Sequence, residues 1–245
     1  MRWAALALVA LTLTGCETTQ EKAAKLERIA KLQELQAAKR GVTKQRGLTI
    51  ARLSTRVKVT AASLVHSSEG AAAVVTLRNS SATPLREIPI AITVKDAAGS
   101  SVYTNSTSGL SPALVAVPLL PAHAQLTWID DQIQPSGTPA SVSTRVGEGE
   151  AVAGAIPRLS ITGTHLIEDP TNGLGAEGSV VNHSSVGQQE LVVYAVARRA
   201  GRTVAAGRAI LAQAPAETAT RFQIFFIGDP RGAALEVNAP ATTDG

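Results

Sequence analysis

Between residues 57 and 240 the chain lays out one plan twice. Leu77-Arg78-Asn79-Ser80-Ser81 returns as Val180-Val181-Asn182-His183-Ser184-Ser185. Ile90-x-Ile92-x-Val94 with a later Gly99 returns as Val192-x-Tyr194-x-Val196 with Gly201. Pro121 stands seven residues before Trp128, and Pro215 seven before Phe222. The copies lie roughly 100 residues apart, the length of one small domain. A duplication of this length restricts the chain to two similar folding units in tandem.

Within each copy, short runs rich in Val, Ile, Thr and Ala alternate with Gly/Pro/Asn/Ser clusters, the signature of short strands joined by tight turns. Strands are predicted at 57–65, 71–78, 88–95, 101–104, 114–117, 125–129 and 140–146, and again at 158–166, 175–182, 190–198, 203–211, 218–227 and 233–238. Residues 88–94 alternate strictly, so their aliphatic side chains share one face while Pro89, lacking a donor, suits an edge. Trp128 and Phe222 take the inward parity of their strands; Phe225 takes the opposite one. Asn79 and Asn182 end strands where the chain must turn, and asparagine tolerates the left-handed backbone expected there. The expected fold class is all-β: two tandem immunoglobulin-like β-sandwich domains, 57–146 and 157–240, joined by a linker at 147–156 and followed by a disordered tail at 241–245.

The segment ahead of the repeats differs in kind. Arg2 precedes an apolar run over 3–13, which is too short for the roughly 20 residues a bilayer span requires and suits the core of a signal peptide. Leu13-Thr14-Gly15-Cys16 follows and resembles the lipobox of bacterial lipoproteins. Residues 1–16 are thus the expected lipoprotein signal peptide with its lipobox, and the resemblance implies cleavage just before Cys16, acylation of Cys16 as the first residue of the mature protein, and display of the remainder on the extracytoplasmic face of a membrane in the cell envelope. Cys16 is the only cysteine in the chain, so an exported product has no internal disulfide. An ordinary secretory leader containing a chance cysteine is the competing reading.

Residues 17–56 read as a basic helical neck and linker. Stretch 17–40 contains no Gly or Pro and is rich in helix formers, with Glu21/Lys25 and Glu27/Lys31 at ion-pair spacing. Its apolar stripe is blurred, covering about two heptads where a coiled coil wants three or four. Residues 17–58 hold eleven Lys/Arg against four Asp/Glu, while 59–245 hold eleven against fifteen. The positive charge thus sits nearest the expected lipid, where each basic residue gains about 1 kcal/mol from an anionic surface. Expected partners are the membrane, through acyl chains on Cys16, anionic lipid beside the neck, and an envelope protein. Nucleic acid is not among them, because aromatic platforms are scarce.

An asparagine after an apolar strand, an alternating aliphatic strand closed by glycine, and proline followed seven residues later by an aromatic together resemble the FxLYD domain of bacterial envelope lipoproteins. Asn79, Ile92, Val94, Asp96, Gly99, Pro121 and Trp128 carry the pattern in the first copy; Asn182, Tyr194, Val196, Gly201, Pro215 and Phe222 carry it in the second. Departures occur at Thr93-Val94-Lys95-Asp96 and at Arg198, which replaces the aspartate. The resemblance implies an extracytoplasmic binding or spacing role and brings no catalytic residues.

Motifs for chemistry are thin. Gly173-Leu174-Gly175-Ala176-Glu177-Gly178 matches the letters of a dinucleotide fingerprint, but a β-rich run follows it where a helix is required. His66, His123, His165 and His183 lack zinc-ligand spacing, and Asp130-Asp131 lacks the rest of a calcium cage. No cofactor, metal site or catalytic residue is expected. Arg198, Arg199, Arg202 and Arg208 cluster about one hairpin and form a candidate interaction patch, with a solvated edge guard as the plainer reading. The expected function is a non-catalytic, membrane-anchored lipoprotein presenting its domains for protein–protein interaction or spacing. The alternatives are a ligand-binding lipoprotein serving a transporter and an envelope hydrolase.

Overall fold

The computed structural model describes residues 48–68 and 70–242. The chain divides into two units, Met1–Gln45 and Arg46–Gly245. Cys16, the expected leader and the neck stretch 17–40 lie outside the described residues.

The first repeat comprises β1 (Val57–Ser67), β2 (Gly70–Asn79), β3 (Leu85–Lys95), β4 (Ser101–Thr104), β5 (Ala116–Leu120), β6 (Gln125–Ile133), β7 (Ser141–Val146) and β8 (Glu150–Ala151). A 3-10 turn, Pro112–Leu114, leads into β5. The second comprises β9 (Leu159–Asp169), β10 (Gly173–Asn182), β11 (Gln188–Arg199), β12 (Arg202–Ala214), β13 (Ala219–Phe225), β14 (Ile227–Gly228) and β15 (Ala234–Asn238). The described fold is thus all-β, and its sheets pack in a β-sandwich-like manner around apolar cores. In the first repeat the sheet β1-β2-β6 covers a sheet centred on β3, which pairs with β4, β5, β7 and β8. In the second, β9-β10-β13 covers β14-β12-β11-β15. The plan is shared, with the long β12 standing where β4 and β5 stand.

Asn79 and Asn182 anchor equivalent loops. Each is fully buried. The Asn79 amide donates to the carbonyls of Thr83, Leu120 and Pro121, and its oxygen accepts the Ser81 amide and hydroxyl. The Asn182 amide donates to Val186, Ala214 and Pro215, and its oxygen accepts the Ser184 amide and hydroxyl. The expectation of a left-handed backbone at the asparagines is corrected. Positive φ falls instead at Glu87 and Glu190 (49° and 48°) and at His123 and Glu217 (57° and 55°), again in matched pairs. The asparagines are needed for their amides, which tie three chain segments together in each repeat.

The repeats do not pack as beads on a linker; they are stacked. Every residue of β2 from Ala71 to Leu77 is buried, and so is every residue of β11 from Leu191 to Ala197. A strand buried on both faces must have a layer on each side. Trp128 and Ile90 mark the first repeat's interior. The same continuous core takes in Val192, Tyr194, Val196 and Ala206 of the second. The second repeat's own interior is built from Leu191, Val193, Ala195, Ala197, Phe222 and Ile224. The β1-β2-β6 sheet of the first repeat therefore lies against the β11-β12 face of the second, front to back.

This packing corrects the register of the repeat. The expected match of Ile90, Ile92 and Val94 to Val192, Tyr194 and Val196 is one residue out. A one-residue slip sends every side chain to the other face. The equivalent inward residues are Val193, Ala195 and Ala197, while Val192, Tyr194 and Val196 point toward the other repeat.

Two boundaries also move. Gly147 donates to Pro89, β8 pairs with β3, and Val152 donates to Pro84, so the first part of the expected linker 147–156 belongs to the first repeat. At the other end Ala241 is buried, and the Thr242 amide donates to the Gln188 side chain at 2.8 Å, so the expected tail is fixed at its start.

Candidate functional site

The junction between the repeats holds a buried polar cluster. Asp130 and Asp131 are neighbours on β6, so their side chains leave on opposite faces. Asp130 faces its own repeat and is fully buried. It accepts the Tyr103 hydroxyl at 3.0 Å and the Gln132 amide at 3.0 Å. Burial pushes its carboxyl above the ordinary carboxylate range, against the lowering effect of those two hydrogen bonds and of Arg208. Burial likewise raises the Tyr103 and Tyr194 hydroxyls. Asp131 faces the second repeat, where it accepts the Arg208 amide at 2.9 Å and Nε at 2.8 Å. The two aspartates engage different partners, Tyr103 and Arg208. Among the described residues no group of three His, Cys, Asp or Glu could hold a metal.

Beside this cluster an open groove of about 370 Å³ runs between the repeats. Pro112, Ala113, Pro118 and Leu119 form one wall, and Val192 and Ile210 form the other. The first wall is held from behind. Trp128 Nε1 donates to the Ala113 carbonyl at 3.0 Å, and the buried Asn105 amide donates to the Leu114 carbonyl at 2.7 Å. Ile210 leaves 47% of its surface exposed, a large fraction for an isoleucine. Arg86, Glu87 and Glu190 stand at the rim. Arg86 is paired with Glu150 at 3.2 Å. The Glu87 and Glu190 carboxylates have no ion-pair or hydrogen-bond partner among the described residues. Sequence reasoning passed over both, although each follows its anchoring asparagine by the same interval.

The four candidate arginines part company. Arg198 pairs with Glu236 at 3.3 Å and donates to Thr203. Arg199 donates to the Arg231 carbonyl, and Arg202 is exposed at the hairpin tip. Arg208 is buried, its side chain 3% exposed, in the pair with Asp131, so it leaves the surface group. Its parity explains this: it lies opposite Tyr194 on the junction face of β12.

The remaining motifs find structural uses. Gly173 to Gly178 run along β10, and a Cβ on Gly178 would strike the Phe222 ring. His165 lies 3.0 Å from Glu177, and His183 shares a hydrogen with Ser160 at 2.8 Å. Phe225 lies against Gly175 on the outer face of the second repeat. Among the described residues no helix is long and apolar enough to cross a membrane.

No protein-family model matches the chain, and no curated protein is similar to it in sequence.

Proposed function

We propose that the chain is a non-catalytic lipoprotein of the cell envelope, acylated at Cys16. Its basic neck lies beside anionic lipid, and two immunoglobulin-like domains of the FxLYD kind are presented to an envelope protein. The observation that carries the reading is the shared core of the two repeats, pinned by the Asp131–Arg208 pair. A body locked in this way offers a surface of fixed shape, which lowers the ordering cost of binding. The upstream Leu13-Thr14-Gly15-Cys16 supplies the anchor in this reading.

The test compares wild type with Cys16→Ser in the native cell. Radiolabelled fatty acid should enter wild type only, and the wild-type chain should fractionate with membranes. Proximity labelling should mark an envelope protein that the variant fails to mark. Equal labelling by fatty acid, or equal partner sets, would overturn the reading.

A second reading, a ligand-binding lipoprotein serving a transporter, draws on the groove. Its volume lies at the small end of the roughly 300–1,000 Å³ typical of small-molecule pockets. Equilibrium dialysis against pooled small solutes tests that reading; retention of one class would favour it over the protein partner.

A further inference from the structure

The groove between the repeats has three properties that together specify an occupant. The first is its apolar lining, in which Pro112 and Ile210 are exposed, Ala113 is half-buried, and Leu119 and Val192 are buried. The second is a strand edge beside it. In β12, Ala205 and Ala206 pair with β14, the Arg208 amide is taken by Asp131, and the Ala214 carbonyl is taken by Asn182. Between these points the outward backbone groups fall on Ile210 and Ala212, and no strand pairs with them among the described residues. The third is charge. Arg86 is paired with Glu150, whereas Glu87 and Glu190 stand at the rim without partners among the described residues.

We propose that this groove binds an extended segment of a partner protein in which small apolar residues alternate with lysine or arginine. The segment adds its backbone to the free stretch of β12, sets its apolar side chains between the two walls, and places its cations by Glu87 and Glu190. Strand addition at an edge supplies main-chain hydrogen bonds, and alternate side chains supply selectivity. The carboxylates reject an acidic segment, because like charge brought together across an interface is costly. Both glutamates hold a left-handed backbone at equivalent places in the repeats, so their position is fixed by the chain and not by a flexible loop. The assignment rests on the reading of the body as an interaction module and names the partner's chemistry.

Fluorescence anisotropy tests it, using the full chain in non-ionic detergent and a short labelled peptide of alternating lysine and valine. A glutamate–valine peptide and a lysine–glycine peptide serve as comparisons. The lysine–valine peptide should bind saturably and both comparisons should bind far more weakly. Glu87→Gln with Glu190→Gln should weaken binding by about tenfold, the scale of losing two charge contacts at a rim. Ile210→Lys, at an exposed position, should abolish binding while the thermal transition of the chain stays in place. Equal binding of the glutamate–valine peptide, undiminished binding by the double variant, or no binding of the lysine–valine peptide would overturn the assignment. Lipid attachment at Cys16 and partner labelling in the cell are read separately, so failure of the groove is distinguishable from failure of the anchored-module reading.

Discussion

Asp131 of the first repeat receives both the backbone amide and the Nε of Arg208 in the second, at 2.9 and 2.8 Å. The arginine side chain is 3% exposed and the aspartate 16%, so the pair sits largely out of water. Removing one member of such a pair strands the other charge. Arg208→Ala should therefore cost about 3–5 kcal/mol in urea unfolding. Arg208→Met combined with Asp131→Leu should recover part of that loss, since an apolar pair strands no charge beside Tyr194 but leaves the backbone amide at 208 without its acceptor. If the single and double variants are equally unstable, the pair acts through shape and not through charge.

Asn79 and Asn182 make the same five hydrogen bonds in their respective loops. Alanine at either site removes the amide that ties these carbonyls together, while Thr83, Pro121, Val186 and Pro215 keep other donors, so the cost should be about 1–3 kcal/mol in all. Urea midpoints should fall in both variants, by amounts agreeing within about 1 kcal/mol. Asn79→Asp should be worse than Asn79→Ala at neutral pH, because a carboxylate would face three carbonyl oxygens. A much smaller effect at one site would show that the matched loops bear unequal loads.

Asp130 gives the stability a pH dependence of known sign. Its carboxyl titrates above the ordinary range in the folded chain because it is buried, so the folded state holds the proton more tightly than the unfolded chain does. The corresponding stability is present in full below the ordinary carboxylate pKa of about 4 and is lost as pH rises through the raised value. Wild type should thus lose stability relative to Asp130→Asn as pH is raised from about 4 toward neutrality. Tyr103→Phe removes a donor to the carboxylate and should steepen the loss. Chemical denaturation across that range checks both, and a wild-type-minus-variant difference independent of pH would refute the account.

Much of the strand order was legible in the sequence because turn residues punctuate it. Ser101–Thr104 matches its expected bounds, and Trp128 and Phe222 fill the two interiors as their parity requires. The stacking was legible too, in a signal that went unread. Ala71-Ala72-Ala73-Val74-Val75-Thr76-Leu77 and Leu191-Val192-Val193-Tyr194-Ala195-Val196-Ala197 do not alternate, and a strand without alternation is buried on both faces. The register of β11 was not legible for the same reason: with no polar face, the pattern fits either offset. Arg208 read as a surface cation because nothing local distinguishes it from Arg202. Its partner lies 77 residues away on another strand.

The outer faces of the two stacked repeats are more polar than the face buried between them. On the junction face of the first repeat stand Val74, Thr76, Thr127 and Ile129; their counterparts on the outer face of the second are Glu177, Ser179, Arg221 and Gln223. At the other end Ala91, Thr93 and Lys95 stand where the second repeat has Tyr194, Val196 and Arg198, and residues 48–50 lie beside Ala91 and Thr93. A front-to-back interface does not close on itself, so two complementary apolar ends would let copies add without limit. Polar terminal faces prevent this, as capping units do in repeat proteins. Glu177→Val, Arg221→Thr and Gln223→Ile together restore an apolar face beside the half-buried Phe225. The triple variant should sediment as concentration-dependent oligomers where wild type does not, while its far-UV circular dichroism stays unchanged. A variant no more associated than wild type would show that backbone shape, and not the polarity of β10 and β13, limits the stack to two.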